Sequence, residues 1–301
     1  MKDKVIVVCG PTATGKTALA AELAKRLSSE VISADSMCVY RGFDIGTAKP
    51  TEAETKSVKH HLIDVVNGNE SFSVADYKRL AQPVLKALID RGKIPVVCGG
   101  TGFYIESLLY DFSYGNAARN DEIRRKYERF AEERGKDALF ALLREKDAES
   151  AEKLHKNDVK RVIRALEICE CGEKAKSEYR DRRVLKYDAL AVCFDYPREE
   201  LYRRIDARAS AMFENGLVKE VKSLLESGVD ETCQAMQGIG YKEVLSCLKG
   251  EIGAEDAKKL VMLNSRRYAK RQITFFKRWE FLRRIRPQDE KSAAEEVLKL
   301  L

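Results

Sequence analysis

Residues Gly10-Pro11-Thr12-Ala13-Thr14-Gly15-Lys16-Thr17 fit the spacing G-x-x-x-x-G-K-[ST]. In such a loop successive backbone N–H groups wrap a pair of phosphates, the lysine adds a point charge, and the final hydroxyl can hold Mg²⁺. The apolar run Lys4–Cys9 leads into it, and residues 16–28 follow as a helix with Leu19, Leu23 and Leu27 in one stripe. The helix N-terminus adds a dipole that favours an anion at the same place. The loop is therefore a diphosphate cradle, with Lys16 as its charge and Thr17 as the candidate metal ligand. It does not say which molecule carries the diphosphate.

A nucleoside triphosphatase usually ends a second strand in an acid that supports the metal. Here the matching run Ile94–Cys98 enters Gly99-Gly100-Thr101-Gly102 and offers no carboxylate. Thr101 could donate to a phosphate oxygen, or simply close a tight strand-to-helix turn. Asp35 follows the run Val31-Ile32-Ser33-Ala34, at the carboxyl edge where open parallel sheets bind ligands. It could assist a metal, act as a base, or cap the next segment.

These groups need a sheet to hold them. Five short apolar runs read as buried parallel strands: Lys4–Cys9, Glu30–Ala34, His61–Val66, Ile94–Cys98 and Ala189–Phe194. Helical stretches follow most of them, as in an α/β fold. Between about Asn116 and Arg183 the chain is highly charged, with the helical patterns Leu139, Leu142, Leu143 and Val159, Ile163, Leu166, Ile168. After Pro197 it reads as almost wholly helical, in Glu199–Glu226, Lys242–Lys249, Ala254–Trp279 and Lys291–Leu301. The expected architecture is an α/β P-loop NTPase-like parallel-sheet core, residues 1–115 and 184–301, with a helical insertion domain at 116–183 and a helical C-terminal region.

The 301 residues are 34% charged with a net charge of +7, which favours an anionic partner without naming it. Eight cysteines include no CxxC pair, and the three histidines lack zinc spacing, so reduced thiols and no zinc are expected. Met1-Lys2-Asp3-Lys4 runs straight into a strand, so neither a leader nor a membrane span is expected and the location is cytoplasmic.

Taken together, several segments resemble the tRNA dimethylallyltransferases, also called tRNA isopentenyltransferases or the IPP transferase family. They are the phosphate loop, the run from Asp35 to Pro50, His60-His-Leu-Ile-Asp64, Phe72-Ser-Val-Ala-Asp-Tyr77 and Gly99-Gly-Thr-Gly-Phe-Tyr104. Asp158 to Glu167, Ala235 to Glu243 and Arg267 to Gln272 continue the match in family order. The resemblance implies transfer of a dimethylallyl group from dimethylallyl diphosphate to N6 of adenine 37 in tRNA, 3′ of the anticodon, with Mg²⁺ as helper. It makes Asp35 the base, with Thr101 and Lys16 at the diphosphate and Arg208 adding charge there, although Arg208 could equally form a surface salt bridge. One departure is Cys38, where many members carry Gln; a thiol is a weak hydrogen-bonding group.

The resemblance also implies tRNA contacts from Asp35, Ser36, Met37, Cys38 and Thr101, from Arg124, Val159, Lys160, Arg161, Val162 and Ile163, and from Gln237 and Lys242. The partner is the anticodon stem-loop, and a monomer is expected. Arg267, Arg271 and Arg278 share one helical face and Tyr268, Phe275 and Trp279 a neighbouring one. The basic face could bind phosphates, and the aromatics could stack on bases or pack into the core. Rival readings are a small-molecule kinase, a prenyltransferase acting on AMP or ADP, and a non-catalytic nucleotide switch.

Overall fold

The structure is a computed structural model that describes residues 2–111, 120–171 and 182–301. The chain divides into two compact units, Met1–Tyr110 with Leu185–Leu301, and Asp111–Val184. The sequence boundary expected near residue 116 lies outside the described residues. No helix among them is long and apolar enough to cross a membrane.

The larger unit is built on six strands. They are β1 (Lys4–Cys9), β2 (Val31–Ser33), β3 (His60–His61), β4 (Val96–Gly99), β7 (Asp188–Phe194) and β8 (Leu282–Ile285), in the order β3-β2-β4-β1-β7-β8, and every neighbouring pair is parallel. A separate two-stranded sheet pairs β5 (Tyr110–Asp111) with β6 (Arg182–Leu185). β1 is central, with Ile6 opposite Val96 on one side and Leu190 on the other. Its residues Val5 to Cys9 are at most 1% exposed, as expected of a strand covered on both faces. Helices α1 (Lys16–Arg26) and α12 (Glu290–Leu298) cover one face, where Leu19, Leu23, Ala293 and Val297 meet Ile6, Val8, Val96 and Val192.

Around this sheet run α2 (Glu52–Thr55), α3 (Val74–Asp90), α4 (Gly102–Leu109), α8 (Arg198–Glu214), α9 (Leu217–Glu226), α10 (Tyr241–Leu248) and α11 (Ala254–Phe276). Ser73 opens α3 with a reciprocal capping box to Asp76.

Two expectations needed correction, and one strand had not been expected. β3 stops at His61 because Leu62 and Asp64 adopt φ of 64° and 56°, a left-handed geometry that no strand continues through. The single helix expected over Glu199–Glu226 is two, broken at Asn215-Gly216, where Gly216 sits at φ 100°. In the C-terminal part, read as almost wholly helical, the unassigned stretch between Trp279 and Lys291 holds β8, a parallel edge strand of four residues. Its Leu282 and Ile285 are three apart, a spacing that also suits a helix, and Arg283 and Arg284 between them are exposed.

The smaller unit holds α5 (Asp121–Lys146), α6 (Ala148–Lys153) and α7 (Val159–Glu170). α5 kinks at Gly135, whose φ of 81° and ψ of 161° are not helical. Tyr127, Leu139, Leu143, Val162 and Leu166 make its core. At its centre Glu167 is fully buried, accepts from Asn120 N–H at 2.6 Å and Arg124 Nε at 2.9 Å, and pairs with the Arg164 guanidinium, whose Nη1 stands 2.8 Å away. Burial opposes its charge, but those three partners outweigh that and hold its carboxyl below the usual range.

Candidate active site

A cavity of about 1030 Å³ opens at the carboxyl edge of the sheet in the larger unit. The phosphate loop forms its floor. Ala13 and Gly15 take φ of 65° and 86° on either side of Thr14, the alternation that makes an anion-binding nest of N–H groups, and Gly10 enters the loop at φ 124°. Pro11 O accepts from Thr14 Oγ1 at 2.9 Å and from Lys16 Nζ at 2.6 Å. Burial pushes the Lys16 ammonium down from its ordinary value, and Arg208 adds to that, so an arriving anion relieves both charges.

Residues 12–17 line the cavity, whereas Gly10 and Pro11 do not. These two are the loop's structural entry: a Cβ on Gly10 would meet Cys193 Cβ at 3.2 Å, and Pro11 supplies the carbonyl that parks Lys16.

Asp35 lines the same cavity, on the turn after β2. Its Oδ1 accepts Met37 N–H at 2.8 Å, leaving the rest of the carboxylate available. Ser36 N–H donates to Thr101 Oγ1 at 3.0 Å, and Thr101 N–H donates to Ala34 O at 3.0 Å. Thr101 does not line the cavity. Its hydroxyl braces the Asp35 turn, which is a different task from donating to a phosphate. At Gly99 the fit is tight: a Cβ there would stand 2.1 Å from Ala34 O.

The segment after Asp35 forms the opposite wall through residues 44–51. Glu220, on α9, accepts from the N–H groups of Asp44, Ile45 and Gly46 at 3.1, 2.7 and 3.1 Å, and from Tyr241 Oη at 2.6 Å. Lys49 Nζ ties Tyr40 O to Asp64. Arg208 lines the cavity and donates Nη2 to Thr47 O at 3.2 Å, while its buried Nε has no partner among the described residues. Burial pushes its guanidinium down. Among the described residues it makes no salt bridge, so it is a cation aimed at the site and not a surface pair.

Ser36, Met37, Cys38, Gln237, Lys242 and Arg271 also line the cavity, and Arg267 stays outside it, exposed on α11. Burial pushes the Cys38 thiol up, so it stays protonated.

The neighbouring aromatic face is core. Trp279 is 5% exposed and donates Nε1 to Glu106 at 3.0 Å, and Phe275 lies where a Cβ on Gly102 would be. Arg278 stacks 3.7 Å over Phe275 and pairs with Glu106. Only Tyr268 of that face reaches the cavity. In the smaller unit Val162 and Ile163 are 1% and 4% exposed, so their side chains serve its core and not a ligand; Lys160 and Arg161 are exposed. Sequence reasoning missed Glu220 and Gln272 as site-builders, because a helical Glu and Gln carry no local signature of the distant loops they bind.

A parallel sheet with a phosphate loop after its central strand, a facing acid on the next strand's turn and no acid after β4 defines a P-loop protein adapted away from the triphosphatase pattern. A family profile described as IPP transferase matches residues 38–279. The chain is 45% identical to a tRNA dimethylallyltransferase of Acetivibrio thermocellus over 99% of its own length and 96% of that protein. It superposes with a TM-score of 0.73 on the tRNA isopentenylpyrophosphate transferase of Bacillus halodurans, at 39% identity, covering 99% of this chain and 95% of that one. A eukaryotic dimethylallyltransferase acting on tRNA gives a TM-score of 0.79 at 31% identity, covering 91% of this chain and 70% of that one. The chain belongs to the IPP transferase family.

Proposed function

We propose that the protein transfers a dimethylallyl group from dimethylallyl diphosphate to N6 of the adenine at tRNA position 37, releasing diphosphate. One observation carries the reading: Asp35 and the phosphate loop line a single cavity, while the strand end that would hold a triphosphatase acid is closed by Gly99.

The bond from the allylic carbon to the diphosphate oxygen breaks as the bond to N6 forms, and the leaving group gains negative charge. The loop N–H groups, Lys16 and Arg208 therefore bind more strongly as the reaction proceeds. The adenine amine is a weak nucleophile because its lone pair is delocalised into the ring; Asp35 accepts its proton as the new bond forms. Thr101 keeps that carboxylate in place through Ser36.

Thr17 and Asp35 in one cavity suit Mg²⁺ carried on the diphosphate, since this ion keeps its waters and takes only one or two protein oxygens. Among the described residues no group of three or more His, Cys, Asp or Glu could cage a metal. When bound, Mg²⁺ would neutralise charge on the diphosphate.

The target base must leave its stack to reach such a cavity, at a cost of a few kcal/mol. Exposed Arg125, Lys160 and Arg161 of the smaller unit and Arg267 of α11 supply basic surface for the anticodon stem-loop. The protein acts as a cytoplasmic monomer in this reading. Incubation with labelled dimethylallyl diphosphate, Mg²⁺ and either unmodified tRNA or AMP tests it. Label on tRNA is expected; label on AMP alone, or ATP consumption without prenyl transfer, would replace it. Lys160→Glu with Arg161→Glu should weaken tRNA binding and leave diphosphate binding intact.

A further inference from the structure

Thr12 N–H donates to Gln272 Oε1 at 3.0 Å, and Gln272 Nε2 donates to Gly100 O at 3.0 Å. One carboxamide from α11, 5% exposed, thus bolts the phosphate loop to the turn after β4. Gly100 leaves room for it, since a Cβ there would stand 2.1 Å from Nε2.

The bond has a cost to any ligand. Pro11 has no N–H, and that of Thr12 is taken. Two successive positions at the start of the loop therefore offer a phosphate no backbone donor. The N–H groups of residues 13–17, at the α1 N-terminus, remain. A phosphate chain seated there finds backbone donors for two groups, and a third group extending toward the start of the loop meets the Lys16 ammonium but no further backbone N–H.

We infer that Gln272 is a positioning and specificity-determining residue that shapes the loop for a diphosphate and against a triphosphate. This rests on the proposed reading that the loop grips a diphosphate leaving from carbon. It adds the device by which a loop of triphosphatase type favours the shorter anion.

The test uses the full chain and two probes, inorganic pyrophosphate and inorganic triphosphate, titrated calorimetrically with Mg²⁺. Wild type should bind pyrophosphate more tightly. Gln272→Met keeps the volume and removes the amide, freeing Thr12 N–H. The ratio of pyrophosphate to triphosphate affinity should then fall about tenfold, the effect of one hydrogen bond to a charged group. Gly100→Ala, which displaces the carboxamide from the other side, should move the ratio the same way and serves if the first variant does not fold. Parallel weakening of both anions with an unchanged ratio would show a merely structural role and overturn the inference. Prenyl transfer to tRNA by wild type is scored separately. Transfer with an unmoved ratio sinks only this inference, whereas no transfer with tighter triphosphate binding sinks the functional reading as well.

Discussion

Thr101 Oγ1 receives the backbone N–H of Ser36 at 3.0 Å, so the strand that ends in glycine supports the turn that carries the acid. Thr101→Ser keeps this acceptor and should retain turnover within a few-fold. Thr101→Val removes it and leaves a partly buried N–H unpaired, a loss of about 1–3 kcal/mol. Steady-state kinetics should place that loss in kcat, with KM for the prenyl diphosphate little changed. A rise in KM alone would return Thr101 to the phosphate.

Asp35→Asn retains an oxygen for Met37 N–H but cannot take a proton. Prenyl transfer should fall by about 10²–10⁴. A gel-shift titration should show tRNA binding preserved, because the surface proposed for tRNA consists of basic residues elsewhere. Full activity in this variant would remove Asp35 as the base.

Glu220 holds three consecutive N–H groups of the cavity wall. Glu220→Ala strips all three and should raise KM for dimethylallyl diphosphate about tenfold or more, each charge-assisted bond contributing about 1.5–3 kcal/mol. Tyr241→Phe removes one bond to the same carboxylate and should have a smaller effect. Equal KM values for wild type and Glu220→Ala would separate the wall from substrate binding.

Glu167 lets the smaller unit be followed by pH. Its folded-state carboxyl titrates below the ordinary value, so its stabilisation is fully present above about pH 4.5 and is lost as pH falls through the lower, folded value. Glu167→Gln should cost about 2–3 kcal/mol near neutrality. In thermal melts by circular dichroism the gap between the two proteins should close as the buffer is taken below pH 4.5. A gap that stays constant into acid would assign the loss to shape and not charge.

Much of this was readable from one dimension. The loop from Gly10 to Thr17 and the buried runs around it announce themselves because backbone geometry and continuous burial are local properties. Asp35 was placeable because strand ends in a parallel sheet share an edge. What escaped was set by partners far along the chain. Glu220 reaches residues 174–176 positions away and Gln272 reaches Thr12 across 260. β8 fell between the stretches read as helices and went unassigned, because its one strand neighbour, β7, lies on a distant segment. The aromatic set Tyr268, Phe275 and Trp279 carried two readings in the sequence, and the bond from Trp279 to Glu106 decides for the core.

Gly99 gives the sheet edge a one-way character. With a neighbouring carbonyl 2.1 Å from where a side chain would begin, no single codon change can install an acid at that spot without prising β2 from β4. The closeness of the two strands thus withholds from this edge the carboxylate on which metal-centred phosphoryl chemistry leans.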